Sequence, residues 1–227
     1  MTTTSLVEAA INNLRPWKKV GAELTALPPD APEAQSLILA YRDGSCEPWL
    51  AAYLLGCIGA PVGYETAHEI LISDAGSLSG SYASVAMALM RDHDAYPDLL
   101  EILNADHRRR VRHDAVHGMA ELSPPQLMDD LFNAHRAGRI SRRVASWEIA
   151  YCEPPDDWLI TLLESEEIND RKLGCAVIDA MLRDNTPMPN PGFSVTAPVK
   201  LCLEDSEHTM TLSRRKHLLE WIEQAAA

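Results

Sequence analysis

Apolar and polar positions alternate along most of this chain with the period of an α-helix. In residues 107–122, HRRRVRHDAVHGMAEL, Val111, Ala115, Met119 and Leu122 fall four, four and three residues apart and form one apolar stripe. The opposite face carries Arg110, His113 and His117. The same kind of segment recurs on both sides. EPWLAAYLLGCIGAP places Pro48 in a first helical turn and ends near Gly59. It is followed by a helix over residues 64–73, then by SYASVAMALMRD and by PDLLEILN from Pro97. PPQLMDDLFNAHRAG, SRRVASWEIAYC, PPDDWLITLLES and DRKLGCAVIDAMLRD continue the series.

Five of these helices carry a small residue at mid-length: Ala52, Ala86, Ala115, Ala145 and Ala176, separated by 34, 29, 30 and 31 residues. Two helices per period of about thirty residues predict stacked helix pairs, in which each unit buries its apolar face on the next. Before Cys46, residues 3–27 predict one or two short helices. Ser5 or Thr4 is placed to cap the first, with Glu8 completing a capping box, and Pro16 interrupts. Another helix spans 31–42. After Arg183 the pattern fails: residues 185–192 are rich in Pro, Asn and Gly and read as a loop. A short helix over 196–203 follows, and from Glu207 an amphipathic segment suited to capping an open end.

The Val111-Arg112 pair followed by Ala115, the related Arg142-Arg143-Val144-Ala145 and the LLGCIGAP ending at Pro61 resemble HEAT repeats, particularly the short bacterial kind related to phycobilin-lyase repeats. The resemblance covers about residues 46–183. It implies an all-α fold: a single α-solenoid domain of about five stacked HEAT-like helix pairs. Residues 1–45 and 184–227 would then supply non-repeat capping helices. Because one fold hosts many activities, function must be argued from the site.

Composition narrows the choice of function. The net charge is −13, which counts against binding that draws its affinity from nucleic-acid phosphates. Five cysteines without a CxxC pair suggest neither a zinc site nor a disulfide framework, and fit a reducing cytosol. The N-terminus shows no basic-then-apolar leader pattern. The longest apolar run, Trp49 to Val62, falls short of the roughly 20 residues a spanning helix needs. A cytoplasmic protein without a membrane segment is expected.

Arginines cluster at successive helix starts: Arg108, Arg109, Arg110 and Arg112, then Arg139, Arg142 and Arg143, then Arg171 with Lys172. They would form a docking strip for an acidic partner or, as a more distant reading, for phosphates, or pair structurally with Asp106, Asp114 and Asp170. If the helices around Ala115 and Ala145 are the second members of their pairs, a groove face would collect Arg110, Arg112, His113, His117, Arg143, Trp147, Tyr151 and Asp179. An outward Trp and Tyr beside Arg matches the residue types of protein-binding hot spots. The alternative is that Trp147 and Tyr151 pack between units. His113 and His117 are spaced to share one metal ion, and VRHDA is similar to the His-Glu repeats of deoxyhypusine hydroxylase, a HEAT-like iron enzyme. That family requires such pairs in several repeats, and here the further ligands are missing, so no metal or cofactor is assigned. Phosphate loops, GxSxG elbows and HExxH motifs are absent from the sequence. The expectation is therefore a non-catalytic protein-interaction module (adaptor, scaffold or inhibitor), and the charge suits a basic protein partner. A HEAT-like hydroxylase or lyase is the alternative, and a nucleic-acid-binding protein a more distant one.

Overall fold

The computed structural model of the chain describes residues 5–73, 78–183, 192–205 and 210–225. Among these residues it is all-helical, and no helix is long and apolar enough to cross a membrane. Spatial proximity divides the chain into two compact units, residues 1–124 and 125–227.

The first unit holds α1 (Leu6–Ile11), α2 (Trp17–Leu24), α3 (Pro32–Arg42), α4 (Pro48–Ile58), α5 (Tyr64–Ser73), α6 (Ser79–Arg91), α7 (Tyr96–Asn104) and α8 (Arg109–Leu122). Its helices begin and end where the chain's chemistry requires. The expected capping box is present: the Ser5 hydroxyl accepts from Glu8 N–H while the Glu8 carboxylate accepts from Ser5 N–H. Pro16 stands immediately before α2, and Pro32 and Pro48 open α3 and α4, where a missing N–H costs nothing. Gly59 ends α4 at φ +66°, a left-handed conformation that glycine adopts without strain.

Within this unit α2, α4, α6 and α8 form a row of neighbours. The preceding helices α3, α5 and α7 pack on α4, α6 and α8 respectively, so α8 is the second member of its pair. Leu54, Leu55, Ile70, Leu71, Met87, Leu99 and Leu103 are fully buried between the two layers. Each such side chain contributes about 1.5–3 kcal/mol through burial.

Small residues set the spacing of the row. Ala52, Ala86 and Ala115 are buried. A Cβ on Gly56 would stand 3.1 Å from the Ala86 Cβ, and one on Gly118 only 2.4 Å from the Ser84 carbonyl oxygen. Ser84 Oγ donates to the Asp114 carbonyl at 2.6 Å, and Ser81 Oγ donates to the Asp114 carboxylate at 2.8 Å. The hydroxyls thereby satisfy polar groups that the close α6–α8 approach buries.

The second unit contains α9 (Leu127–Arg136), α10 (Arg142–Tyr151), α11 (Asp156–Leu163), α12 (Ile168–Arg183), α13 (Thr196–Glu204) and α14 (Leu212–Ala225). Again α9 packs on α10, α11 on α12 and α13 on α14, with α12 between α10 and α14. Ser141 caps α10 by accepting from Val144 N–H at 3.3 Å. The helix expected from Pro124 begins instead at Leu127, because Pro125 and Gln126 form the turn that precedes it. Ala145 on α10 and Ala176 on α12 are buried, and the two helices pack on each other. Of the predicted 185–192 loop, all but Gly192 lies outside the described residues.

Side-chain hydrogen bonds repeat at one period. In the first unit Tyr64 pairs with Asp98 and Ser81 with Asp114, 34 and 33 residues apart. In the second, Arg136 meets Asp170, Arg171 meets Asp205 and Arg214 meets Asp179, at separations of 34, 34 and 35.

Candidate functional site

The residues singled out from the sequence fall in both units. On α8, local partners engage the basic residues. Arg110 Nε lies 3.6 Å from Asp114 Oδ2, Arg112 donates to the His107 carbonyl, and Arg109 Nε donates to His113 Nε2 at 3.4 Å. Burial, reinforced by Arg109, pushes the His113 imidazole below its ordinary pKa. His117 is exposed on the same helix.

At the start of α12, Arg171 behaves similarly. Arg171 donates to the Ser165 and Glu166 carbonyls and to Asp205, while Asp170 receives Arg136 bidentately at 3.1 and 2.7 Å together with Ser165 Oγ. Asp114 and Asp170 thus have the structural role anticipated for them, although Arg136 rather than a helix-start arginine reaches Asp170. Among the described residues, no three His, Cys, Asp or Glu side chains converge as a metal site.

The second unit does gather a site. Arg143, Trp147 and Asp179 line one groove of about 430 Å³ between α10, α12 and the start of α14, together with Ser146, Arg183 and Arg214. Tyr151, one helical turn beyond Trp147, is 51 % exposed, and its ring lies 6.5 Å from the Trp147 ring at an interplanar angle of 31°. The aromatic pair is therefore partly presented to solvent rather than closed into the core.

Asp179 organises the groove floor. It is only 4 % exposed and accepts from Arg183 Nε at 2.9 Å and Arg214 Nε at 3.0 Å, while His217 Nδ1 lies 2.9 Å away. Burial alone would raise this carboxyl. Hydrogen bonds from His217, Arg214 and Arg183 outweigh that and hold it below the usual carboxylate range. Both arginines use Nε, so their terminal nitrogens project past the carboxylate. Arg183 Nη2 reaches Ser213 Oγ at 3.4 Å; Arg183 Nη1 and both terminal nitrogens of Arg214 donate no hydrogen bond among the described residues. Arg143 is exposed and likewise has no side-chain hydrogen bond among them. Arg142 lines the adjoining surface with Arg143 and Arg214, and burial followed by repulsion from Arg214 lowers its pKa.

Sequence reasoning missed Arg183, Arg214 and His217. Arg183 stands four residues after Asp179, the spacing of a helical ion pair, and that signal was available. Arg214 and His217 were not assignable, because only the tertiary packing of α14 on α12 brings them to Asp179. A second missed feature lies in the first unit. Trp17, Trp49, Tyr53 and Tyr82 form a run of half-buried rings across α2, α4 and α6, with centroid separations of 4.8–6.3 Å. Gly21 makes room for it, since a Cβ there would fall 2.7 Å from the Tyr53 ring.

Comparison with known proteins finds no matching family model and no matching curated protein.

Proposed function

We propose that this chain is a non-catalytic interaction module built from HEAT-like stacked helix pairs, and that it holds a partner protein in the groove between α10, α12 and α14. The observation that carries the reading is the convergence of Arg143, Trp147, Arg183 and Arg214 around Asp179, with Tyr151 beside Trp147. Tryptophan, tyrosine and arginine are the residues that dominate binding energy at protein interfaces, because they combine large apolar area with directional donors. The one-period hydrogen bonds and the pairing of each even-numbered helix with its predecessor support the stacked-repeat reading. The five unpaired thiols fit a reducing cytosol as its place of work.

The test is an affinity capture from native extract with three proteins compared: wild type, Arg143→Glu/Trp147→Ala, and a control with Glu65→Gln/Glu101→Gln. Glu65 and Glu101 line a different surface, in the first unit. A stoichiometric partner retained by wild type and control but lost by the groove variant supports the reading. A partner retained by all three, with helicity intact, contradicts it.

A further inference from the structure

We infer that the occupant of this groove is an acidic segment of the partner, its carboxylates held by Arg143, Arg183 and Arg214 and an adjoining apolar side chain laid against Trp147 and Tyr151. The inference rests on the interaction-module reading above and adds the chemistry of the ligand. Among the described residues, four guanidiniums, those of Arg142, Arg143, Arg183 and Arg214, border the groove and its adjoining surface, against the single carboxylate of Asp179. That carboxylate is already spent on Arg183, Arg214 and His217. It therefore neutralises part of the cluster while fixing two forks by their Nε atoms, leaving the outer donors oriented and short of acceptors among the described residues. A planar guanidinium with free terminal N–H groups matches a carboxylate in geometry and charge.

The whole-chain charge of −13 points the other way, toward a basic partner. Charges more than about 8 Å apart are screened at physiological ionic strength, so the groove's own surplus of cations decides what binds inside it. The aromatic pair makes the second half of the site. Trp147 and Tyr151 sit on α10 next to Arg143 and offer apolar area that bare anion capture would leave unused. A peptide with acidic and apolar side chains engages both halves, whereas a small anion engages one.

The test uses the full chain and fluorescein-labelled peptides read by anisotropy. The probes are an oligomer of alternating Glu and Leu, an oligomer of alternating Lys and Leu, and one of Gly and Ser, with inorganic phosphate as a competitor. The expected result is saturable binding of the Glu–Leu oligomer alone. It should weaken by roughly tenfold or more in Arg143→Glu and in Trp147→Ala. Arg143 makes no side-chain hydrogen bond among the described residues, so this variant retains the fold, and circular dichroism checks that it does.

Binding of the Lys–Leu or Gly–Ser oligomer that Arg143→Glu or Trp147→Ala abolishes overturns the acidic occupant but leaves the groove as a docking site. Complete displacement by low phosphate concentrations, with Trp147→Ala unaffected, reduces the site to a small-anion site and overturns the peptide. Glu–Leu binding unchanged in both variants overturns the assignment to this groove. No binding of any oligomer overturns the acidic occupant; the extract capture then decides separately whether the module reading survives.

Discussion

Replacing Gly118 by alanine sets local propensity against tertiary packing. Gly118 lies inside α8, where alanine is favoured over glycine by about 1 kcal/mol. Propensity alone therefore predicts stabilisation. The packing predicts the reverse, since the new Cβ would stand 2.4 Å from the Ser84 carbonyl oxygen, 2.7 Å from its carbon and 3.0 Å from Leu99 Cδ1. Carbon–oxygen contacts settle at about 3.3 Å or more, so α6 and α8 must part by roughly 1 Å. The obstacle is backbone, and two hydroxyls tie it to α8: Ser84 Oγ to the Asp114 carbonyl and Ser81 Oγ to its carboxylate. Overpacking of this kind costs about 1–3 kcal/mol, and stretching one of those hydrogen bonds adds about 1 kcal/mol. After subtracting the propensity gain, Gly118→Ala is destabilising by about 1–3 kcal/mol. Urea unfolding followed by circular dichroism measures it as a lowered midpoint at unchanged slope. Gly56→Ala is the internal comparison: its Cβ would meet the Ala86 Cβ at 3.1 Å, a small displacement, and its effect should be under about 1 kcal/mol. A Gly118→Ala protein as stable as wild type, or more stable, would falsify the close α6–α8 approach.

Asp179→Asn leaves Arg183, Arg214 and His217 facing a neutral amide. Breaking a fully buried pair costs about 3–5 kcal/mol, but these partners are partly exposed, so about 1–3 kcal/mol is expected in urea midpoints at pH 7. Because the folded-state pKa of Asp179 is depressed, its stabilisation is complete above its unfolded pKa of about 4 and disappears as pH falls through the lower folded value. The Asn variant should therefore show a shallower loss of stability below pH 4 than wild type; parallel curves would refute the assignment. Asp92 adopts φ +52° in the turn after α6, a conformation that costs an L-residue about 1–3 kcal/mol. Asp92→Gly should raise the melting temperature by about 2 °C, and a fall would show that the Asp side chain offsets the strain. Burial pushes the Cys46 and Cys152 thiols up to about 11, and Cys175 and Cys202 are buried. Native protein should react with iodoacetamide at pH 8 far more slowly than protein in urea; equal rates would contradict the packing.

The helices were legible because their signals are local. The Ser5–Glu8 capping box, the prolines that open α3 and α4, and the apolar stripe of α8 each depend on residues within a few positions of one another. The recurring alanines, Ala52, Ala86, Ala115, Ala145 and Ala176, are all buried, and Ala86 faces Gly56 where α4 and α6 approach closely. The groove was legible only in part. Arg143, Trp147, Tyr151 and Asp179 could be placed on one side of their helices by period alone. Arg214 and His217 could not, because their position at Asp179 depends on how α14 seats against α12. The basic run was legible in part: structural pairing with nearby aspartates was one of its two readings, and Arg110 with Asp114 is such a pair at helical spacing, whereas the contact of Arg171 with Asp205 depends on how α12 and α13 pack.

Replacing Thr211, an exposed residue at the rim of the groove outside the proposed contacts, by a photoreactive amino acid tests the central claim most directly, with the same replacement at Ile72 in the first unit as the control. Irradiation in native extract should give one predominant protein adduct at position 211 and none of that species at position 72. The cross-linked peptide from the partner should be rich in Asp and Glu. Adducts of the same kind at both positions, or none at 211 in extract from which the same variant captures a partner, would contradict docking in the α10–α12–α14 groove.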